Sequence, residues 1–418
     1  MIRIMAWRNI WRNPTRSAVV IIAISLGVWA AMFMSGFATG MANSYVNNAI
    51  QNIFSHLQVH VPGFQDDADI HQFFSQPDSL QAFAQKQEAI TGVSLRTIVH
   101  GMVASSHSSR GVEIRGVVPE AETQVIGLPE QMHEGPFFGE SRKNQILLGK
   151  KMAENLKVRL RSKVVLTFQD LEGHITAAAF RVQGIFTSGS TPFDEGTVLV
   201  QRSDLNRLLL PADSTARDSL QVPESALLGH EMAIMLKDPT AMPQVQQDLQ
   251  KAFPGLLVQN YRELSPDLRL FESQIKNISL IYLVIILLAL IFGIINTMLM
   301  AVLERFKELG MLMAVGMNKA RIFFMIVLET LILSAIGLPL GLLFGHLTIL
   351  YLGRYGIDLS AFSASLQQYG MSDQLYFNLD PIVYWQIPIG ILITALLAAI
   401  YPAWKAIRLR PVEAIRKI

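Results

Sequence analysis

A Gly-Lys pair is the heart of a phosphate-binding loop, and this sequence holds one in "LLGKKM", Leu147–Met152. The pair lacks both the upstream glycine at the required spacing and a following Ser or Thr. The chain therefore does not bind ATP through such a loop. His56 and His60 stand four apart in "SHLQVH". On a helix they could share a metal; on a strand they share a face. A metal normally needs a third ligand, so they read as solvent-facing histidines. No G-x-S-x-G, H-E-x-x-H or paired-carboxylate motif occurs, and there is no cysteine. That removes disulfides, thiolate metal sites and cysteine nucleophiles. No catalytic, cofactor-binding or metal-ligating residue is expected. Glu329 is different, because it is the one carboxylate inside the long apolar run Ile322–Leu352. Facing lipid it would cost about 2.5–3.5 kcal/mol. It must face protein or the interface, as a helix-packing carboxylate or as a transport group.

The elements that would position these groups are mostly membrane helices. Of 418 residues 51% are hydrophobic and only 16% charged, and mean hydropathy is +0.34. A soluble domain carries about 25% charged residues. Four runs meet the roughly 20 apolar residues that a bilayer demands: Ala18–Ala38, Ile278–Leu303, Ile322–Leu352 and Ile382–Trp404. None shows the polar face of a surface helix. The first run exceeds a signal-peptide core of roughly 7–15 residues and is read as retained. The positive-inside rule sets the orientation. Arg3, Arg8, Arg12 and Arg16 precede the first run; Arg305, Lys307, Lys319 and Arg321 separate the second from the third; Lys405, Arg408, Arg410, Arg416 and Lys417 follow the fourth. Both termini and the 304–321 segment are thus expected in the cytoplasm, and 41–270 and 354–381 outside. A net charge of +2 suggests no nucleic-acid partner.

The expected order is an amphipathic segment at 1–16, spans at 17–40, 277–303, 322–353 and 382–404, an outer domain at 41–270, and a tail at 405–418. The first and second spans are expected to continue outward as helical stalks. "HLQVHV" and "VEIRGV" alternate by twos, and "KVVLTF" and "TVLVQ" are short runs rich in β-branched residues; all four read as strands. "LPEQMH", "KMAENLKV" and "MPQVQQDLQKAF" read as short helices, and "DSTARDSLQVPES" as a loop. The outer domain is therefore expected to be α+β, inserted between membrane helices 1 and 2, with a size that suits two lobes.

Between the second and third spans lies "ERFKELGMLMAVGMNKARIF", Glu304–Phe323, read as one amphipathic helix. Glu304–Lys307 and Arg305–Glu308 can pair at i,i+3. Leu309, Leu312, Met313 and Gly316 then form an apolar stripe. Gly310 and Gly316 would allow close backbone approach. Such a helix is either an interfacial loop or a docking element for a cytoplasmic partner. At the N-terminus Trp7 and Trp11 share a face beside Arg8 and Arg12, which suits a helix in the headgroup region.

The Glu304–Phe323 segment resembles the cytoplasmic segment of FtsX/MacB-type ABC transporter permeases. So do Glu329 followed by Gly337, Gly341 and Gly345, the tail "YPAWKAIRLRPVEAIR", and the order of one span, a large domain and three spans. "GVEIRGVVPE", "ILLGKKMAENLKVRLRSKVVLTF", "FRVQGIFTSGSTPFDEGTVLV" and "YRELSPDL" resemble, more loosely, the lipoprotein-releasing permeases. The resemblance implies a non-catalytic, multi-pass inner-membrane subunit that binds no cofactor itself. It implies a separate cytoplasmic ABC ATPase carrying ATP and Mg, and a second permease copy in a homo- or heterodimer. It also implies lipoprotein cargo, with a periplasmic acceptor, and a periplasmic outer domain. Glu304, Arg305, Lys307, Glu308, Leu309, Gly310, Leu312, Met313 and Gly316 would form the coupling helix on that ATPase. Met34, Phe37 and Ile291, on the spans joined to the outer domain, would line the cargo entrance. The alternatives are efflux of a peptide, toxin or drug, and transmission of ATPase motion to a cell-wall hydrolase.

Overall fold

The computed structural model describes residues 2–139, 144–210 and 228–408. The 213–225 loop, Arg410, Arg416 and Lys417 lie outside them. The helices include α1 (Ile2–Arg12), α2 (Pro14–Ala49), α3 (Pro77–Gln85), α4 (Lys150–Leu156), α5 (Met242–Ala252), α6 (Pro266–Glu304), α7 (Phe306–Ala314), α8 (Lys319–Tyr355) and α9 (Val383–Ile407). The chain forms two compact units. One comprises Met1–Ala42, Phe271–Asp358 and Gln374–Ile418; the other comprises Asn43–Leu270 and Leu359–Asp373.

In the first unit α2, α6, α8 and α9 are long and apolar enough to cross a membrane. With 36 and 39 residues, α2 and α6 rise about 54 and 58 Å, well beyond a hydrocarbon core of about 30 Å. Both stalks are therefore helical continuations. Small residues set the packing, as in membranes generally. A Cβ at Gly337 would meet the Ile21 carbonyl oxygen at 2.9 Å, and one at Gly341 the Ser25 carbonyl oxygen at 2.6 Å. The glycine stripe of α8 is thus its seat for α2. Ser25 Oγ donates to the Gly337 carbonyl at 2.8 Å, and Trp29 Nε1 to Thr348 Oγ1 at 3.1 Å. Ala395, Ala398, Ala399 and Ala403 of α9 are buried, and α9 packs on α8. By contrast α6 buries only 11% of its most apolar stretch, against 50% for α8.

The second unit is built on ten strands: β1 (Leu57–His60), β2 (Ile90–Ala104), β3 (Ser109–Val117), β4 (Met132–Glu134), β5 (Gln145–Gly149), β6 (Lys163–Gln169), β7 (Ile175–Phe186), β8 (Thr197–Gln201), β9 (Glu231–Leu236) and β10 (Leu257–Asn260). The long β2 serves two cores. Its first half, Ile90–Arg96, pairs with β9 in the sheet β10-β1-β9-β2. There Leu57, Val59, Val93, Leu95, Met232 and Ile234 bury against α3 and α5. Its second half pairs with β3 and β6. The pairings β2-β3-β8-β5-β7-β6-β2 close on themselves, giving a six-stranded barrel. Val103, Ile114, Leu148, Leu166, Val182 and Val200 fill it, one from each strand, as alternation requires. The expected two lobes are these two cores.

Two local expectations are corrected. Within "LPEQMH", Leu128–Gln131 is a single 3-10 turn and Met132–Glu134 is strand β4, because β4 pairs with the exposed edge of β7. His56 and His60 are not solvent-facing; they are 8% and 1% exposed. His60 is covered on its face of β1 by the Phe64 ring, stacked on it at 5.8 Å. His56 precedes β1 in a bend, and its amide donates to the Ile234 carbonyl of β9 at 3.1 Å. His56 Nδ1 accepts from the Leu236 amide at 3.2 Å, and burial lowers its pKa. His60 Nε2 lies 3.2 Å from Glu231 Oε2.

Asp194 is 3% exposed and accepts from the amide and hydroxyl of Ser188 at 3.0 and 2.6 Å. Burial outweighs these bonds and raises its pKa from 3.8 to about 6. A raised carboxyl favours the folded state while protonated, so its contribution is present below pH 3.8 and lost as pH climbs through 6. That loss is about 3 kcal/mol. Asp194→Asn should remove this part of the pH dependence and gain stability over wild type at pH 7. Unfolding measured at pH 4 and pH 7 checks it; an unchanged wild-type slope in the variant would refute the assignment.

Candidate functional site

Helix α7 and the ends of its neighbours form the most densely paired polar cluster of the membrane unit. Its limits are set locally. The Gly316 amide donates to the Met313 carbonyl at 3.1 Å and the Met317 amide to the Leu312 carbonyl at 2.9 Å. With Gly316 at φ 97°, this is a Schellman stop. Asn318 then caps α8 through its side-chain oxygen on the Ala320 amide at 3.1 Å. Glu304–Phe323 is therefore not one helix: Glu304 ends α6, Arg305 is the junction that starts α7, and after the glycine break Lys319–Phe323 belongs to α8, so Glu304 and Arg305 lie outside α7. A Cβ at Gly316 would meet nothing within 4 Å. This glycine serves the turn and not a close approach.

The charges pair across the fold instead of along the helix. Arg16 pairs with Glu304 and Arg12 with Glu308. Arg305 Nη1 donates to both Glu329 oxygens at 3.2 and 3.3 Å, and its Nη2 donates to the Asn9 carbonyl at 3.2 Å. The expected Glu304–Lys307 and Arg305–Glu308 pairs give way to these, because α1, α2 and α8 bring other partners to the same side chains. Lys307 is left exposed. Glu329 is 7% and Arg305 9% exposed, so the carboxylate is buried and paired where the end of α6, α8 and the end of α1 meet. Sequence reasoning missed Arg12, Arg16 and Asn9 as members of this site. One signal was there: Arg12 and Arg16 are four apart, and so are Glu304 and Glu308, which makes two oppositely charged pairs of equal spacing.

The apolar stripe is also rotated from its expected phase. Leu309 is 4% exposed and Gly310 is buried. Leu309 lines a small gap together with Met298, Val302, Met325 and Ile326. Leu312 and Met313 are half-buried. The outward apolar residues are Met311 and Val315, 61% and 84% exposed. They stand at i,i+4 and share one face. On α1, Trp7 and Trp11 are 49% and 57% exposed and pack edge to face at 5.9 Å. Elsewhere Met34, Phe37 and Ile291 are half-buried, whereas Phe292 is 71% exposed. Among the described residues no His/Asp/Glu group could hold a metal.

Four apolar helices, a sheet-rich domain between the first and second, and an ion-paired helix joining the second to the third define a membrane permease architecture. The MacB-like periplasmic core domain family matches residues 17–252, more than half of the chain, and the FtsX-like permease C-terminal family matches 280–411. The chain belongs to this family of ABC transporter permeases, and its sheet-rich unit is the MacB-like periplasmic core. It is 23% identical over 317 residues to the lipoprotein-releasing system transmembrane protein LolC of Xylella fastidiosa strain Temecula1, which covers 72% of each chain. To LolE of Haemophilus influenzae it is 20% identical, covering 81% of this chain and 80% of that one. To the macrolide export ATP-binding/permease protein MacB of Wolinella succinogenes it is 33% identical, over 29% of this chain and 16% of that one.

Proposed function

We propose that this chain is the permease subunit of an ATP-driven transporter that extracts lipoproteins from the outer leaflet of the bacterial inner membrane. The observation that carries this reading is the likeness to lipoprotein-releasing proteins along most of both chains; the likeness to the whole MacB protein of Wolinella succinogenes covers 29% of this chain and 16% of that one. A lipid anchor is held by about 0.8 kcal/mol per buried methylene, so release needs work. The work comes from a separate cytoplasmic ATPase with its ATP and Mg, and a second permease copy completes the transporter. Both termini and α7 face the cytoplasm, consistent with the arginines and lysines around them. Helix α7 docks on the ATPase with Met311 and Val315 as anchors. Helices α2 and α6, each longer than a bilayer, carry its motion outward, and the weakly packed apolar length of α6 faces the cargo.

The ion pairs of α7 are made inside the chain, so they orient the helix instead of binding the partner. An exposed ion pair is worth about 0.2–1 kcal/mol and a buried apolar anchor about 1.5–3. Val315→Asp should therefore abolish copurification of the ATPase and lipoprotein-stimulated hydrolysis, while Glu308→Ala weakens both only slightly. The assay is reconstitution in vesicles carrying an acylated protein, with release to the bulk phase measured. Val315→Asp with normal assembly and stimulation would sink the docking role. Assembly and hydrolysis without release of any acylated protein would point to efflux or to mechanical signalling.

A further inference from the structure

We propose that a phosphodiester-headed membrane lipid binds in the cleft between the end of α8 and the start of α9, with its phosphate on Arg354. The cleft measures about 670 Å³. Its lining is divided by chemistry: Leu350 and Leu379 are aliphatic, Tyr351, Tyr355 and Tyr384 are aromatic, and Arg354 is the single charged side chain. Among the described residues Arg354 forms no ion pair. It is exposed, and its guanidinium lies over the Tyr355 ring, 6.0 Å from the centroid.

The cleft is built rather than incidental. Tyr351 and Tyr355 pack with centroids 4.9 Å apart on one face of α8. Tyr384 on α9 is held by a 2.8 Å hydrogen bond to His346 Nδ1 of α8. A Cβ at Gly353 would meet the Phe377 carbonyl oxygen at 2.8 Å. The glycine therefore lets the chain around Phe377 close against the helix and form the floor.

Its position selects the ligand. Arg354 stands in the last turn of α8, where an apolar span ends and tyrosines gather at headgroup level. An arginine there rests its stem on apolar surface and presents its head to the polar layer. A guanidinium offers parallel N–H donors that match phosphate oxygens. Leu350, 56% exposed, takes the first methylenes of an acyl chain. Inorganic phosphate would use only the arginine and leave the aromatic and aliphatic walls in water, so the complementarity is to the whole lipid. The site is independent of cargo and of the ATPase, and would stand if the transport reading failed.

The test is native mass spectrometry of the full-length chain in mild detergent, titrated with phosphatidylglycerol. Arg354→Gln should weaken retention of the lipid about tenfold, the size of a lost charge-assisted hydrogen bond; Arg354→Lys should weaken it less. Diacylglycerol with the same chains should be retained by the wild-type chain no better than phosphatidylglycerol is by Arg354→Gln. This arm uses the unmodified chain and does not depend on how a variant folds. An excess of inorganic phosphate should leave the bound lipid in place. Equal retention by wild type and Arg354→Gln, or of diacylglycerol and phosphatidylglycerol, overturns the site. Displacement by inorganic phosphate overturns the lipid as its occupant.

Discussion

Replacing Arg96 by leucine is expected to destabilise the sheet-rich unit by about 5 kcal/mol, the upper end for breaking a buried ion pair. Arg96 is fully buried. Its Nη2 donates to Glu122 at 2.6 Å and its Nη1 to Glu231 at 2.6 Å, while Ser94 Oγ donates to Glu122 at 2.5 Å. The arginine sits where β2 passes from one core to the other, and the substitution strands two carboxylates at once. Burial pushes the Glu231 carboxyl up, but the hydrogen bond from His60 and the charges of Arg96 and Arg115 outweigh it and hold its pKa well below the ordinary 4.5. A depressed carboxyl contributes stability above pH 4.5 that is lost as pH falls through its folded-state pKa. In Arg96→Leu that acid-side loss should shrink, since one of the charges that depress Glu231 is gone. Hydrogen exchange on β2 and β9 in the full chain reads both effects. Wild-type protection in the variant at neutral pH would show that the network does not hold the two cores together.

Arg305→Leu is expected to cost about 3–5 kcal/mol in the membrane unit, because it leaves Glu329 buried without its partner. Glu329→Gln should cost less, since the amide oxygen still accepts from Arg305. The double variant Arg305→Leu/Glu329→Leu should recover most of the loss: two apolar side chains replace an ion pair in an already apolar space beside Leu309, Met325 and Ile326. Thermal unfolding of the detergent-solubilised chain gives the comparison. A double variant as unstable as Arg305→Leu alone would mean that the Asn9 carbonyl contact at 3.2 Å, and not the carboxylate, is what Arg305 supplies. If Glu329 were a transport group, Glu329→Gln would stop transport without touching stability. As an anchor it loses stability first.

What the sequence determined by itself was everything encoded in runs of neighbours. Four apolar stretches define four membrane helices because a bilayer tests consecutive residues for charge. β3, β6 and β8 were legible because alternation and β-branching are local. The stop of α7 and the start of α8 were also written locally, in Gly316 and Asn318, though the apolar period on either side masked the break. The tertiary structure alone decided which side chains meet. Arg12 and Glu308 are 296 residues apart in the chain, Arg305 and Glu329 are 24 apart, and Arg96 and Glu231 are 135 apart. Short-range pairing within Glu304–Glu308 was the natural reading, because an isolated helix has no other partners. In the fold a buried arginine takes the partner that removes the larger desolvation cost, and that partner lies on another helix. The phase of α7 followed: once Arg305 turned inward to Glu329, Leu309 one turn later had to turn with it. Met311 and Val315 were thereby left facing out. His60 shows the same limit in a sheet. Its strand was legible, but only the tertiary structure laid the Phe64 ring over its imidazole and brought Glu231 to its Nε2.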